Sequence, residues 1–127
     1  MEQSQQIRTV RIIQKTALII LFVFSLLIFI FALLSGSESF GGGVSGIIKN
    51  SPNSLPWLVL LALVIIAWRN PLFGGILITI AGAILTYYFN FSGDNFFLLT
   101  FIICMLIVFL GLLVWMTESY LRALRKA

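Results

Sequence analysis

Four carboxylates, one thiol and no imidazole are the groups from which this chain could build a reactive site. The carboxylates, Glu2, Glu38, Asp94 and Glu118, are scattered and peripheral to the apolar runs. General acid–base work needs two such groups converging on one bond, or one group poised beside a nucleophile. The missing histidine removes the commonest general base and the commonest metal ligand together. Cys104 lies inside an apolar run with no basic neighbour to favour its thiolate, so it reads as a small packing residue. A single cysteine also allows no intrachain disulfide. Two motifs fail on context. Lys49 follows the glycines of residues 41–46, but two isoleucines separate it from Gly46 and no strand precedes it, as a phosphate loop would require. Asn90-Phe91-Ser92 fits the glycosylation pattern but abuts an apolar run, and nothing points to a secretory route. The expectation is no enzyme, with no catalytic, cofactor-binding or metal-binding residue and no cofactor.

The elements that hold these groups are membrane helices. Hydrophobic residues make up 61% of the chain and charged residues 9%, against about 45–50% and about 25% in soluble domains. A core of this size could not hide so much apolar surface. Lipid cannot satisfy backbone polar groups, so each span must close its own hydrogen bonds. The runs are continuous and do not alternate, which favours helices over barrel strands. The expected fold is all-α: four transmembrane helices forming an up-down bundle of two hairpins, in one domain covering 1–127. The spans fall at about 16–35, 54–70, 71–90 and 96–117. Residues 1–15 read as a basic leader that anchors topology, with a helix lying on the membrane surface as the alternative. The first run is too long for the core of a signal peptide. Residues 35–53 read as a flexible Gly/Ser-rich loop in which Phe40, Ile47 and Ile48 touch the interface. Ser54 is the expected N-cap of the second span, with Pro56 in its first turn. That span is short, about 25 Å against a core of about 30 Å, and Trp57 and Trp68 bracket it at the headgroup level.

Residues 67–75, Ala-Trp-Arg-Asn-Pro-Leu-Phe-Gly-Gly, form the turn between the second and third spans. Proline ends one helix and begins the next. Arginine would cost about 2.5–3.5 kcal/mol at the bilayer centre, which puts Arg69 at the surface beside Trp68. In the third span Gly74, Gly75, Thr79, Gly82 and Ala83 make a small-residue face, with Gly75, Thr79 and Ala83 four apart. Such a face lets helices approach closely in lipid, where packing must supply the attraction. Ser25, Thr79, Thr86, Thr100 and Cys104 form a thin polar seam, read as interhelical packing, with a pore lining in an oligomer as the alternative.

Four spans place the N-terminus, the Arg69 turn and the C-terminus on one side. That side carries Arg8, Arg11, Lys15, Arg69, Arg122, Arg125 and Lys126; the other carries Lys49. The cationic side should be cytoplasmic. Between Thr16 and Leu34, Pro56 and Trp68, Leu72 and Phe89, and Phe96 and Thr117 there is no ionisable group of the kind pumps keep. The first span offers only Ser25 where a small multidrug carrier needs an acid. The expected partners are the lipid bilayer and either copies of the chain or a larger membrane complex, with no nucleic acid.

Leu55-Pro56, Ala67-Trp68-Arg69, Gly74-Gly75-Ile76-Leu77 and Gly82 resemble a family of small bacterial and archaeal four-helix membrane proteins known as a domain of unknown function. Relatives in that family often carry a histidine where this chain has Asn53 and an acid where it has Leu34. The resemblance implies a fold and no activity. With the residues, it leads to the expectation of a non-catalytic multi-pass protein of a prokaryotic inner membrane, structural or accessory. A small transporter or channel component acting as an oligomer is the alternative.

Overall fold

The computed structural model describes residues 2–37, 41–91 and 98–126, all helical apart from short connections and without a strand among them. The helices are α1 (Glu2–Ser37), α2 (Gly43–Arg69), α3 (Pro71–Asn90) and α4 (Leu98–Lys126). α1 packs on α2 and α4, and α3 packs on the same two helices. Phe40 and Asp94 lie outside the described residues.

α1 has 36 residues, about 54 Å at 1.5 Å per residue and well beyond the core thickness. The basic leader is therefore neither a separate surface helix nor a frayed end. One stripe runs its length: Ile7, Val10, Gln14, Ala17, Leu21 and Ser25 recur at three- and four-residue steps and are buried or half-buried. A helix keeps such positions on one face. The leader stays helical because the stripe continues through it.

α2 corrects the reading of residues 35–53. The helix begins at Gly43, not Ser54, so most of the expected flexible loop is helical. The reversal before it uses Gly41, Gly42 and Gly43 at φ 94°, 71° and 67°, angles open chiefly to glycine. The glycines there serve a short connection rather than a long linker. The helix is two pieces, Gly43–Lys49 and Ser54–Arg69, bent by 73°. Pro52 has no N–H for the carbonyl of Ile48, a known cause of kinks. The Ser51 hydroxyl donates to that carbonyl at 2.8 Å instead. Ser54 lies inside the helix, and its hydroxyl donates to the Ser51 carbonyl at 2.8 Å. Ser54, which looks like a cap in the sequence, bonds backward as Ser51 does.

Among the described residues three helices, α1, α3 and α4, are long and apolar enough to cross a membrane. α2 adds a fourth crossing only if its two pieces count as one broken span.

The core runs through Leu21 of α1, Leu60, Val64 and Ala67 of α2, Ile78 of α3, and Cys104, Ile107 and Val114 of α4, each at most 1% exposed. Glycines set the approach around α3. A Cβ on Gly74 would stand 2.2 Å from Ala67 Cα, one on Gly75 2.7 Å from Trp115 N, and one on Gly82 2.8 Å from Val108 Cγ2. From the other side, a Cβ on Gly111 would meet Thr79 N at 2.9 Å. The contacts pair 75 with 115, 79 with 111 and 82 with 108, so α3 and α4 run antiparallel in steady register.

Gly74→Ala and Gly82→Ala should each destabilise the detergent-purified protein by about 1–3 kcal/mol, because backbone or a packed side chain must move. Ala83→Leu, at an exposed position, should change stability by no more than about 0.5 kcal/mol. Thermal unfolding of the three variants checks this.

Candidate functional site

The turn is one residue long. Asn70 joins α2 to α3, its N–H donating to the Ile66 carbonyl at 2.8 Å and its carbonyl accepting from Gly74 N at 2.9 Å. Its Oδ1 caps α3 by accepting from Phe73 N at 3.4 Å, and Pro71 is the first helical residue. Trp68 and Arg69 are exposed at the end of α2. Trp57 differs from Trp68: it is 8% exposed and stacks on Phe89 of α3 at 5.6 Å and 10°. It clamps α2 to α3 rather than reaching for headgroups, because α3 supplies an aromatic face where the sequence suggests only lipid.

The small-residue face divides. Gly74 turns to α2, while Gly75, Thr79 and Gly82 turn to α4. Ala83 is exposed and does not belong to the face. A strict four-residue step drifts around a helix of 3.6 residues per turn. The contact instead follows 75, 79, 82 and 86, alternating four and three. This face is spent inside the chain, so it is not free for a second copy or another protein.

The seam residues bond to their own helices. Ser25 donates to Leu21 O at 2.6 Å, Thr79 to Gly75 O at 2.8 Å and Thr86 to Gly82 O at 2.7 Å. Such bonds satisfy a hydroxyl within its own helix. Cys104 is fully buried and lies against the side chains of Asn90 and Thr86. Asn90 Nδ2 donates to Thr86 O at 2.9 Å, while its Oδ1 is buried without a hydrogen-bond partner.

A second polar group lies at the other end, where the sequence shows Glu118 and Arg122 at i, i+4 spacing but does not single out Gln14. Gln14 of α1 donates through Nε2 to Glu118 Oε1 at 3.2 Å and to Thr117 Oγ1 at 3.3 Å. Arg122 Nε holds Glu118 Oε2 at 3.1 Å. Glu118 is 5% exposed and Gln14 3%. Further out, Gln3 Nε2 donates to Leu124 O at 3.3 Å. The start of α1 and the end of α4 therefore lie side by side. The i, i+4 spacing of Glu118 and Arg122 is visible in the sequence. Gln14 has one signal there, its place on the Ile7–Val10 stripe.

Nothing in these groups assembles a nucleophile with a base. What they define is an all-helical protein with apolar helices able to cross a membrane. The chain belongs to the family described as Domain of unknown function (DUF7670), whose model matches residues 3–127. No curated protein and no solved structure matches the chain.

Glu118→Ala should cost about 1–3 kcal/mol, since it removes the carboxylate partner of the buried Gln14 amide and leaves it only Thr117. Combining Gln14→Leu with Glu118→Leu should cost less than the sum of the single changes, because both polar partners leave together. A double-mutant cycle on unfolding in detergent measures the coupling.

Proposed function

We propose that the chain is a non-catalytic multi-pass protein of a prokaryotic inner membrane, with four spans in an up-and-down bundle of two hairpins and both termini cytoplasmic. Its role is structural or accessory, carried out by packing. The observation that carries this reading is the distribution of polarity. Only 22%, 33% and 28% of the most apolar stretches of α1, α3 and α4 are buried within the chain, and Phe31, Ile84, Leu99, Phe109 and Met116 are among the exposed apolar side chains. Such a surface calls for lipid as solvent. The side-by-side placement of Gln3 with Leu124 and of Gln14 with Glu118 favours an even number of crossings. The excess of cations on that end favours the cytoplasm.

Contacts with copies of itself or with a membrane partner would use the outer faces, since Gly75 and Gly82 are occupied by α4. The hydroxyls bonded to their own helices favour packing over a conducting pathway.

The test begins with carbonate extraction of membranes. Single cysteines at Gln5, Arg69 and Arg125 in a Cys104→Ser background should then all react from the cytoplasmic side only. Opposite accessibility of the two ends would overturn the topology. Crosslinking in native membranes should yield a defined dimer or a complex of fixed composition. A purely monomeric chain would overturn the accessory role.

A further inference from the structure

The molecule's outer surface carries an apolar groove between α1 and α2, of about 340 Å³. Val64 lies along it with Ile19 and Phe22 on the α1 side and Ile65 on the α2 side, and Trp68 and Arg69 line its end. A second apolar groove, about 570 Å³, continues from Ile19 along α1 past Val23 and Leu27 to Phe31. The two share Ile19, so together they follow α1 for about 18 Å at 1.5 Å per residue.

One cation lines the mouth of the groove, and helix geometry puts a second on the α1 face just before it. Arg69 ends the α2 wall. Lys15 stands one turn before Ile19, on the same face of α1. Both are exposed. The ion pair formed among the described residues is Arg122 with Glu118, which leaves both cations without an acidic partner there. Trp68, 49% exposed, adds an amphipathic ring of the kind that settles at the headgroup level.

We propose that this groove is a site for an anionic phospholipid, with its phosphate between Lys15 and Arg69 and an acyl chain lying over Val64 and on along α1. This rests on the membrane reading given above. An apolar trough with Arg69 at its end and Lys15 one turn before Ile19 matches a molecule that is apolar along its length and negative at one end. A neighbouring protein helix would fill the trough equally well but has no need of paired cations at that depth. Free phosphate would use the cations and leave the trough empty.

The full-length protein, purified in mild detergent and stripped of lipid, is titrated with phosphatidylglycerol or phosphatidylcholine and read by native mass spectrometry. Phosphatidylglycerol should be retained preferentially. Lys15→Gln and Arg69→Gln should each weaken it about fivefold, and the double variant about 25-fold, leaving phosphatidylcholine unchanged. Ile65→Trp, which fills the groove without altering charge, should reduce retention of both lipids. Arg125→Gln, a cation away from the groove, serves as control. Equal retention of the two lipids, or an equal loss in Arg125→Gln, would overturn the proposal. So would displacement of the lipid by millimolar inorganic phosphate, which would identify a phosphate site in place of a lipid site. Release of the protein by carbonate would instead refute the membrane reading itself; a carbonate-resistant protein without lipid preference refutes the groove alone.

Discussion

The rest of the structure depends on how closely α3 can approach its two neighbours. In lipid the hydrophobic effect does not press helices together, because the tails are as apolar as the side chains. Attraction must come from contact, and contact from backbones that come near. α3 meets this with Gly74 against Ala67, and with Gly75 and Gly82 against α4, while α4 answers with Gly111 against Thr79. A residue with a side chain at any of these points would drive the helices apart and open gaps along their length. The one-residue turn at Asn70 follows from the same requirement. α2 and α3 can leave a single shared residue only if their first contact, Gly74 on Ala67, is nearly backbone on backbone.

The hydroxyls in this packing are paired, while Asn90 Oδ1 is buried without a partner. Ser25, Thr79 and Thr86 donate to carbonyls one turn back on their own helices. Burying a hydroxyl unpaired costs about 1–3 kcal/mol, more than the about 0.5–1.5 kcal/mol a good bond returns. The Gln14–Glu118–Arg122 group is of another kind. It ties α1 to α4 across more than a hundred residues of chain, at the end where both helices outlast the apolar stretch. The long α1 thus joins a stretch apolar enough to cross a membrane to a helical pair with α4.

Much of the architecture is legible because helices able to cross a membrane need long, continuous apolar runs and because proline, arginine and glycine mark a boundary strongly. The helical content and the break at Asn70–Pro71 came from such signals. The glycines of residues 41–46 misled, since composition alone does not separate a flexible linker from a tight reversal followed by a helix. Ser54 misleads for a related reason: a serine before an apolar run can cap a helix or bond backward inside one, and the sequence does not show that the helix already begins at Gly43. Ala83 was grouped with the packing face on a step of four, whereas the contact follows alternating steps that end at Thr86. Trp57 reads as an interfacial ring and Gln14 shows only its place on the Ile7–Val10 stripe, because their partners, Phe89 and Glu118, are distant in sequence.

The central claim is that the small-residue face of α3 is used on α4 of the same chain, in a register that carries Thr86 to Cys104. Thr86→Cys places a second thiol beside the native one and leaves every glycine in place. Oxidation in native membranes with a lipid-permeable oxidant should give an intrachain disulfide, seen as a monomer of altered mobility whose free-thiol signal is lost. Ala83→Cys, on the outer side of the same helix, should give none within the chain. A Thr86→Cys product that is exclusively a disulfide-linked dimer, or no bond at all, would contradict the account.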